Sequence, residues 1–317
     1  MAGSIMSTEH RRALLFSGQG AQRVGMGADL FEKSPVARAL YEKADATLGW
    51  SLGEVSFRGP EEKLTETRVC QPALYVHGLA VLAAYEEIHG KPLRFEAAAG
   101  LSLGEYTAHA AADTFSFETG LHLVAERGRL MQEACEATSG TMITLLGATS
   151  DQAREIAAAC NVDVANLNCP GQIVLSGAKD AMAGVDAAAK ERGVRRVIPL
   201  KVAGAYHSRL MASAAKGLAP YLAQANIAAP RVPVIANFSA ESVATPEQIR
   251  PALEAQVCGS VCWEDSIRKL VAMGISHFVE CGPSGVIAGL IKRISPQSHC
   301  LSLETYDDLV KHADALN

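Results

Sequence analysis

A chain of 317 residues with a net charge of −5, 49% hydrophobic and 20% charged, has the composition of a globular protein large enough for one sizeable core plus an added subdomain. The acidic balance argues against nucleic acid as a partner, since its binders carry basic faces, and no apolar run approaches the roughly 18 residues of a membrane span. The eight cysteines form no C-x-x-C pair and have no histidine at zinc spacing, and MAGSIMSTEHRR lacks a signal-like apolar stretch; the expectation is a cytoplasmic protein with reduced cysteines and no metal.

Met1–Ile5 precede a second methionine and are set aside as a leader. Arg12–Phe16 (RALLF) reads as a strand entering the glycine-rich SGQGAQRVGMG. Gln71–Glu87 reads as a buried helix and Phe95–Gly100 as a second strand, with a helix beginning just after Ser102. Ser116–Glu136 is a long helix with Ser116 as its cap. From Gly140 to Leu200 the pattern changes to strand (GTMITLLGA), helix opened by Ser150 or Asp151, two strands (VDVANLN, QIVLSGA) joined through Cys169-Pro170-Gly171, helix (DAMAGVDAAAKERG) and strand (RRVIPLKV). That β-α-β-β-α-β order is the ferredoxin-like plan, placed inside a larger α/β chain. The pattern then resumes with a helix over Ser208–Ala223, a strand at VPVIANFS and helix over most of Pro246–Trp263. Strand SHFVECGP leads into helix SGVIAGLIKRI. The domains expected are a large α/β unit from 6–137 and 207–317, and an inserted subdomain at 138–206.

The first glycine loop invites a nucleotide reading, and its spacing rejects it. A dinucleotide fingerprint on Gly18 and Gly20 needs a third glycine where Arg23 stands, and a P-loop over Gly20–Gly25 needs a lysine where Met26 stands. Two readings remain: a tight strand-to-helix turn, or a loop whose backbone N–H groups approach a ligand oxygen. The second matters because Gly100-x-Ser102-x-Gly104 also lies between a strand and a helix, the setting of a nucleophile elbow. Such a turn projects the serine oxygen outward and leaves the N–H of Leu103 at a helix start, aimed at a developing oxyanion. The alternative is a structural bend.

A neutral serine needs a base. Of the nine histidines, His77, His109 and His122 fall within helices, where packed or surface roles are the default, and His10, His89 and His312 fall near termini or turns. His207 differs, standing where the last inserted strand returns to the main domain, a preferred place for a cleft. Arg127 shares a helix face with Met131, and Gly128 beside it costs about 1 kcal/mol in a helix interior unless another backbone or a substrate comes close.

Taken together, SGQGAQ, CQPAL, GLSLGEY, ERGRLMQEA, NLNCPGQIVLSG, AYHSRLM, Gln256…Val261-x-Trp263 and ECGPSGVIAGLIKR occur in the order of a known family. The chain resembles the malonyl-CoA:acyl-carrier-protein transacylases and, more broadly, polyketide-synthase acyltransferase domains, from the first strand to about Ile294. The resemblance implies a hydrolase-like α/β domain carrying the ferredoxin-like insertion. It implies Ser102 as nucleophile and His207 as base, the latter oriented by a main-chain carbonyl near Gln256. It also implies an oxyanion hole from the N–H groups of Gln19 and Leu103, Arg127 as partner of the malonyl carboxylate, and Met131 and Asn168 in the acyl pocket. Tyr206 is a bulky neighbour of the base that fits malonyl better than methylmalonyl. The sequence departs from the family at Leu101, usually histidine, and at Ser17, usually proline.

The implied reaction moves malonyl from malonyl-CoA to the phosphopantetheine thiol of holo acyl carrier protein by way of a malonyl-serine, for fatty-acid synthesis. No cofactor is involved, since malonyl-CoA is a substrate, and a monomer is expected. Arg195, Arg196, Lys201, Arg209, Lys292 and Arg293 are candidates for a basic rim facing the acidic carrier. Two alternatives stand beside this one. A serine esterase would need an acidic triad member and no charged clamp; a retired enzyme kept as a carrier-binding module would have an unreactive Ser102.

Overall fold

Ten strands, divided between two sheets, carry the chain in the computed structural model, which describes residues 11–283 and 285–312. The leader Met1–Ile5, His10 and Ser284 of the last glycine turn lie outside the described residues, as do the outer limits predicted for the large domain. The strands are β1 (Arg12–Phe16), β2 (Ala97–Gly100), β3 (Gly140–Leu146), β4 (Asp163–Cys169), β5 (Gln172–Ala178), β6 (Arg196–Pro199), β7 (Val234–Ile235), β8 (Ser242–Val243), β9 (His277–Cys281) and β10 (His299–Leu303).

The larger sheet runs β10-β9-β1-β2-β7-β8, parallel except for the last pair. Its central strands are uninterrupted apolar runs because both faces are covered. Alternate residues go to opposite sides: Leu14, Phe16 and Ala98 join the core formed by helices Thr67–His89, Leu103–Ala111 and Phe117–Ala137. Ala13, Leu15, Ala97 and Ala99 pack instead on helices Trp263–Ala272 and Val286–Ile294. The carboxyl ends of β1 and β2 lie side by side, with Phe16 opposite Gly100. The glycine loop and the serine turn therefore leave the sheet as neighbours, at the edge where open α/β sheets place their ligands.

The smaller sheet, β4-β5-β3-β6, is antiparallel throughout, with helix Ser150–Cys160 between β3 and β4. Strand order and connections are the ferredoxin-like plan, set within the α/β chain as expected. Two details differ from expectation. The helix is capped by Thr149, whose hydroxyl and Gln152 form a reciprocal capping box, so neither Ser150 nor Asp151 is the cap. The single helix predicted over 180–193 is two, Lys179–Met182 and Val185–Glu191, parted at Ala183-Gly184.

Strand β4 of the smaller sheet pairs with the segment just before helix Trp263–Ala272, where Leu167 donates to the Val261 carbonyl at 2.9 Å and Val261 returns a bond to Ala165 at 2.8 Å. That pairing sets where the helix expected over most of Pro246–Trp263 stops. It ends at Cys258, residues 259–262 run extended against β4, and a new helix begins at Trp263. Helix is also delayed after His207, with a single 3₁₀ turn, Arg209–Met211, preceding helix Ala212–Gln224. Among the described residues no helix is long and apolar enough to cross a membrane.

Candidate active site

The turn from β2 into helix Leu103–Ala111 is tight enough to dictate its glycines. A Cβ on Gly100 would lie 2.1 Å from the Gly104 backbone, and one on Gly104 would lie 2.3 Å from the Phe16 carbonyl. Between them Ser102 sits at φ 53° and ψ −106°, a strained conformation worth about 1–3 kcal/mol that persists only where neighbours over-determine it. Two side chains do so. Asn237 accepts the Ser102 N–H at 2.6 Å and donates to the Gly100 carbonyl at 2.7 Å, while the Gln256 amide donates to the Ser102 carbonyl at 2.8 Å.

Ser102 Oγ and His207 Nε2 are 2.8 Å apart. The other ring nitrogen, Nδ1, lies 2.8 Å from the main-chain carbonyl of Gln256 itself. A carbonyl only accepts, so Nδ1 carries the proton and Nε2 is left free to take the one on serine. Burial, followed by the charge of Arg127, lowers the His207 pKa to about 4, so at neutral pH the ring is uncharged and its Nε2 lone pair is unprotonated. The histidines expected within helices take packed or surface places: His77 is fully buried 3.4 Å from the Tyr41 hydroxyl, His109 is buried and bonded to Thr114, and His122 is exposed.

Arg127 is 1% exposed and lies against the nucleophile. Its Nη2 donates to Ser102 Oγ at 2.9 Å and to Gln256 Oε1 at 2.8 Å; its Nη1 donates to Gln71 Oε1 at 2.6 Å. Those acceptors are all neutral, and the Tyr106 ring lies beneath the guanidinium at 5.6 Å. Gly128 is explained by the backbone it meets, since a Cβ there would lie 2.8 Å from the Thr67 carbonyl. A buried arginine beside a serine hydroxyl can pair with a carboxylate carried on that serine.

The N–H of Leu103 opens its helix, and neither it nor the N–H of Gln19 donates to any acceptor among the described residues. Both residues line the same cleft as Ser102, so the two groups can serve an oxyanion. The cleft, about 490 Å³, lies between the sheets and is lined by every residue predicted for the site except Gln256, which stands behind its wall. Asn168 and Asn166 reach it from one side of β4, two residues apart. Tyr206 closes another side with its hydroxyl 2.6 Å from Thr67 Oγ1 and 3.3 Å from the Gln19 amide. Leu101 also lines the cleft, and Ser17 is buried against the Pro283 carbonyl. Among the basic residues, Lys201 lines the cleft, Arg209 is held by Asp163 at 2.7 Å, and Arg293 is bonded to Gln172 and the Pro170 carbonyl.

Sequence reasoning assigned no role to Gln71, Glu105 or Asn237. The first two stand inside the motifs CQPAL and GLSLGEY, so the signal was there. Asn237 gave none, because it reaches Ser102 only through the pairing of β7 with β2.

A family model described as acyl transferase domain matches residues 13–298. The malonyl CoA-acyl carrier protein transacylase of Bacillus subtilis (strain 168) is 40% identical over 288 residues, 89% of this chain and 90% of that one. The crystal structure of malonyl-CoA:acyl carrier protein transacylase from Xanthomonas oryzae pv. oryzae superposes with a TM-score of 0.92 at 39% identity, covering 98% of this chain and 99% of that one. The malonyl-transacylase of the PlMCAT:AntF complex, solved with its type II PKS acyl-carrier protein, is similar at a TM-score of 0.90 and 34% identity, over 97% of this chain and 100% of that one. With the elbow, the dyad and the buried arginine in one cleft, the chain belongs to the malonyl-CoA–acyl carrier protein transacylase family of acyltransferases.

Proposed function

We propose that the protein transfers malonyl from malonyl-CoA to the phosphopantetheine thiol of holo acyl carrier protein, with Ser102 carrying the acyl group between them. Ser102 Oγ attacks the thioester carbonyl as its proton passes to His207 Nε2. The oxyanion is held by the N–H groups of Gln19 and Leu103. The C–S bond breaks, His207 returns the proton to the departing CoA sulfur, and a malonyl ester remains on Ser102. In the second half-reaction the carrier thiol loses its proton to His207 as its sulfur attacks the ester carbonyl. The C–O bond to Ser102 breaks, and the proton returns to Oγ. One covalent intermediate shared by two substrates gives ping-pong kinetics. No cofactor enters either half.

The observation that carries the reading is the 2.9 Å bond between Arg127 Nη2 and Ser102 Oγ. An acyl group on that oxygen extends past a buried cation, which a malonyl carboxylate satisfies and an acetyl methyl does not. A charge-assisted hydrogen bond is worth about 1.5–3 kcal/mol, roughly a 10–150-fold preference. Met131, Asn168 and Tyr206 line the cleft around the place of that carboxylate, and we assign to the bulky Tyr206 ring a preference for malonyl over methylmalonyl. The division at 137/138 and 206/207 separates a unit bearing the dyad from an inserted unit bearing the pocket asparagine. We assign the product to fatty-acid synthesis, and the enzyme to the cytoplasm as a monomer.

Intact-protein mass after brief exposure to malonyl-CoA without acceptor tests this. A single malonyl adduct is expected, absent from Ser102→Ala and much weaker with acetyl-CoA. No adduct with any acyl-CoA on folded protein would overturn the reading in favour of a carrier-binding module, and equal labelling by acetyl would remove Arg127 from its role.

A further inference from the structure

Glu105 is fully buried one turn into the elbow helix and touches none of the atoms that exchange protons. Its Oε2 accepts two hydrogen bonds, from the Gln256 side-chain amide at 2.7 Å and from the Asn237 N–H at 3.0 Å. Those residues are the two struts of the strained serine. Gln256 is also the residue whose side-chain oxygen holds Arg127 and whose main-chain carbonyl holds His207.

An amide side chain is nearly symmetric in shape, and only its partners decide which end faces which way. On the nitrogen side of Gln256 stand two acceptors, the Ser102 carbonyl at 2.8 Å and the Glu105 carboxyl. On the oxygen side stands the Arg127 guanidinium. The Ser102 carbonyl engages one amide hydrogen and Glu105 the other. A flipped amide would set its NH₂ against the guanidinium and its oxygen against both acceptors. We propose that Glu105 is a positioning residue for acyl selection: by holding the second amide hydrogen of Gln256 it directs that side-chain oxygen at Arg127 and so anchors the guanidinium beside Ser102. The inference rests on the reading in which Arg127 receives the malonyl carboxylate.

Reach, not charge, is what this role needs. Burial raises the Glu105 carboxyl to about 7. Its Oε1 has no partner among the described residues, so that oxygen can carry a proton while Oε2 keeps both bonds. Glu105→Gln preserves the length and one acceptor oxygen; Glu105→Asp preserves the charge but retracts it by one methylene. The test compares rates of serine acylation by malonyl-CoA and by acetyl-CoA, read by intact mass, with thermal melting to establish that each variant is folded. Loss of stability alone lowers both rates together. Mispositioning lowers the malonyl-over-acetyl ratio, by roughly tenfold for one charge-assisted bond. The ratio is expected to fall in Glu105→Asp and to stay within about twofold in Glu105→Gln. A folded Glu105→Asp that keeps the ratio, or a Glu105→Gln that loses it equally, overturns the proposal. Should Glu105→Asp not fold, Gln256→Met, which keeps the main-chain carbonyl for His207, must lose the ratio; if it does not, the proposal is overturned. Arg127→Met separates the two levels. If it leaves the ratio intact, the reading of Arg127 fails; if it abolishes the ratio while Glu105→Asp does not, only the role of Glu105 fails.

Discussion

A histidine needs a fixed tautomer to act as a base, and in this protein a peptide carbonyl supplies it. The Gln256 carbonyl is neutral, so it orients His207 without the charge that an aspartate would add, and burial beside Arg127 then holds the ring near pKa 4. A general base works in its unprotonated form, so kcat/KM for malonyl-serine formation is expected to rise with pH through about 4 and to stay flat from about 6 to 8. A stopped-flow or quench-flow pH profile checks this; an inflection near 6.5 would mean that His207 is far less buried in solution. Arg127 makes the complementary choice. Its partners are the oxygens of Gln71, Gln256 and Ser102, neutral groups that keep the cation solvated without neutralising it. The charge thus remains available to a carboxylate.

Close backbone contacts position these groups at the level of the elements. Gly104 lets the elbow helix rest on the end of β1, and Gly128 lets helix Phe117–Ala137 rest on the start of helix Thr67–His89. Gly128→Ala sets two effects against each other. Helix propensity favours alanine by about 1 kcal/mol, but its Cβ would lie 2.8 Å from the Thr67 carbonyl and 3.0 Å from Arg68 Cα, both backbone atoms. Overpacking costs typically 1–3 kcal/mol, and backbone cannot rotate aside, so the clash wins. The variant is expected to lose about 1–2 kcal/mol in a urea melt and to raise the malonyl KM, because the displaced helix carries Arg127. An unchanged midpoint would mean that the two helices separate without cost.

At the scale of the whole molecule, the cleft lies between the two sheets, with Ser102 and His207 on one side and Asn168 of β4 on the other. Folding the chain buries ionisable groups, some of them away from the cleft, and they set the acid response. His77 and His207 are lowered to about 4 and His109 to about 3, all by burial, whereas burial raises Glu105 to about 7. A histidine held neutral in the fold binds fewer protons than in the unfolded chain, so its contribution is lost as pH falls from about 6.5 toward its folded value. Glu105 has the opposite sign and gains as pH falls from about 7 toward 4.5. Three histidines outweigh one carboxyl, so stability is expected to decrease on acidification between about pH 6.5 and 4.5. Urea midpoints measured across that range check the sign, and a rise toward pH 4.5 would contradict it.

Local patterns were enough to identify much of this protein from its sequence. RALLF and AAAG are apolar without alternation because their strands are covered on both faces, Ser116 caps the arginine helix, and the inserted strand order is legible from turn residues and periodicity. Ser102, His207 and Arg127 stood out because their residue types are chemically unusual in those places. Short connections were less legible: helices Ala28–Lys33, Leu52–Arg58 and Glu61–Thr65 are too brief for a clear period, and β10 is a half-exposed edge. The break at residues 259–262 comes from pairing with β4, which no local signal announces. What only the tertiary structure decided is which neutral group supports which charged or strained one. Asn237 meets Ser102 because β7 lies beside β2, and Gln256 bonds at once to His207, Arg127, Ser102 and Glu105 because its helix ends behind the cleft. Hydrogen bonds between residues 49 to 154 positions apart depend on strand order and helix packing, and those are properties of the assembled fold.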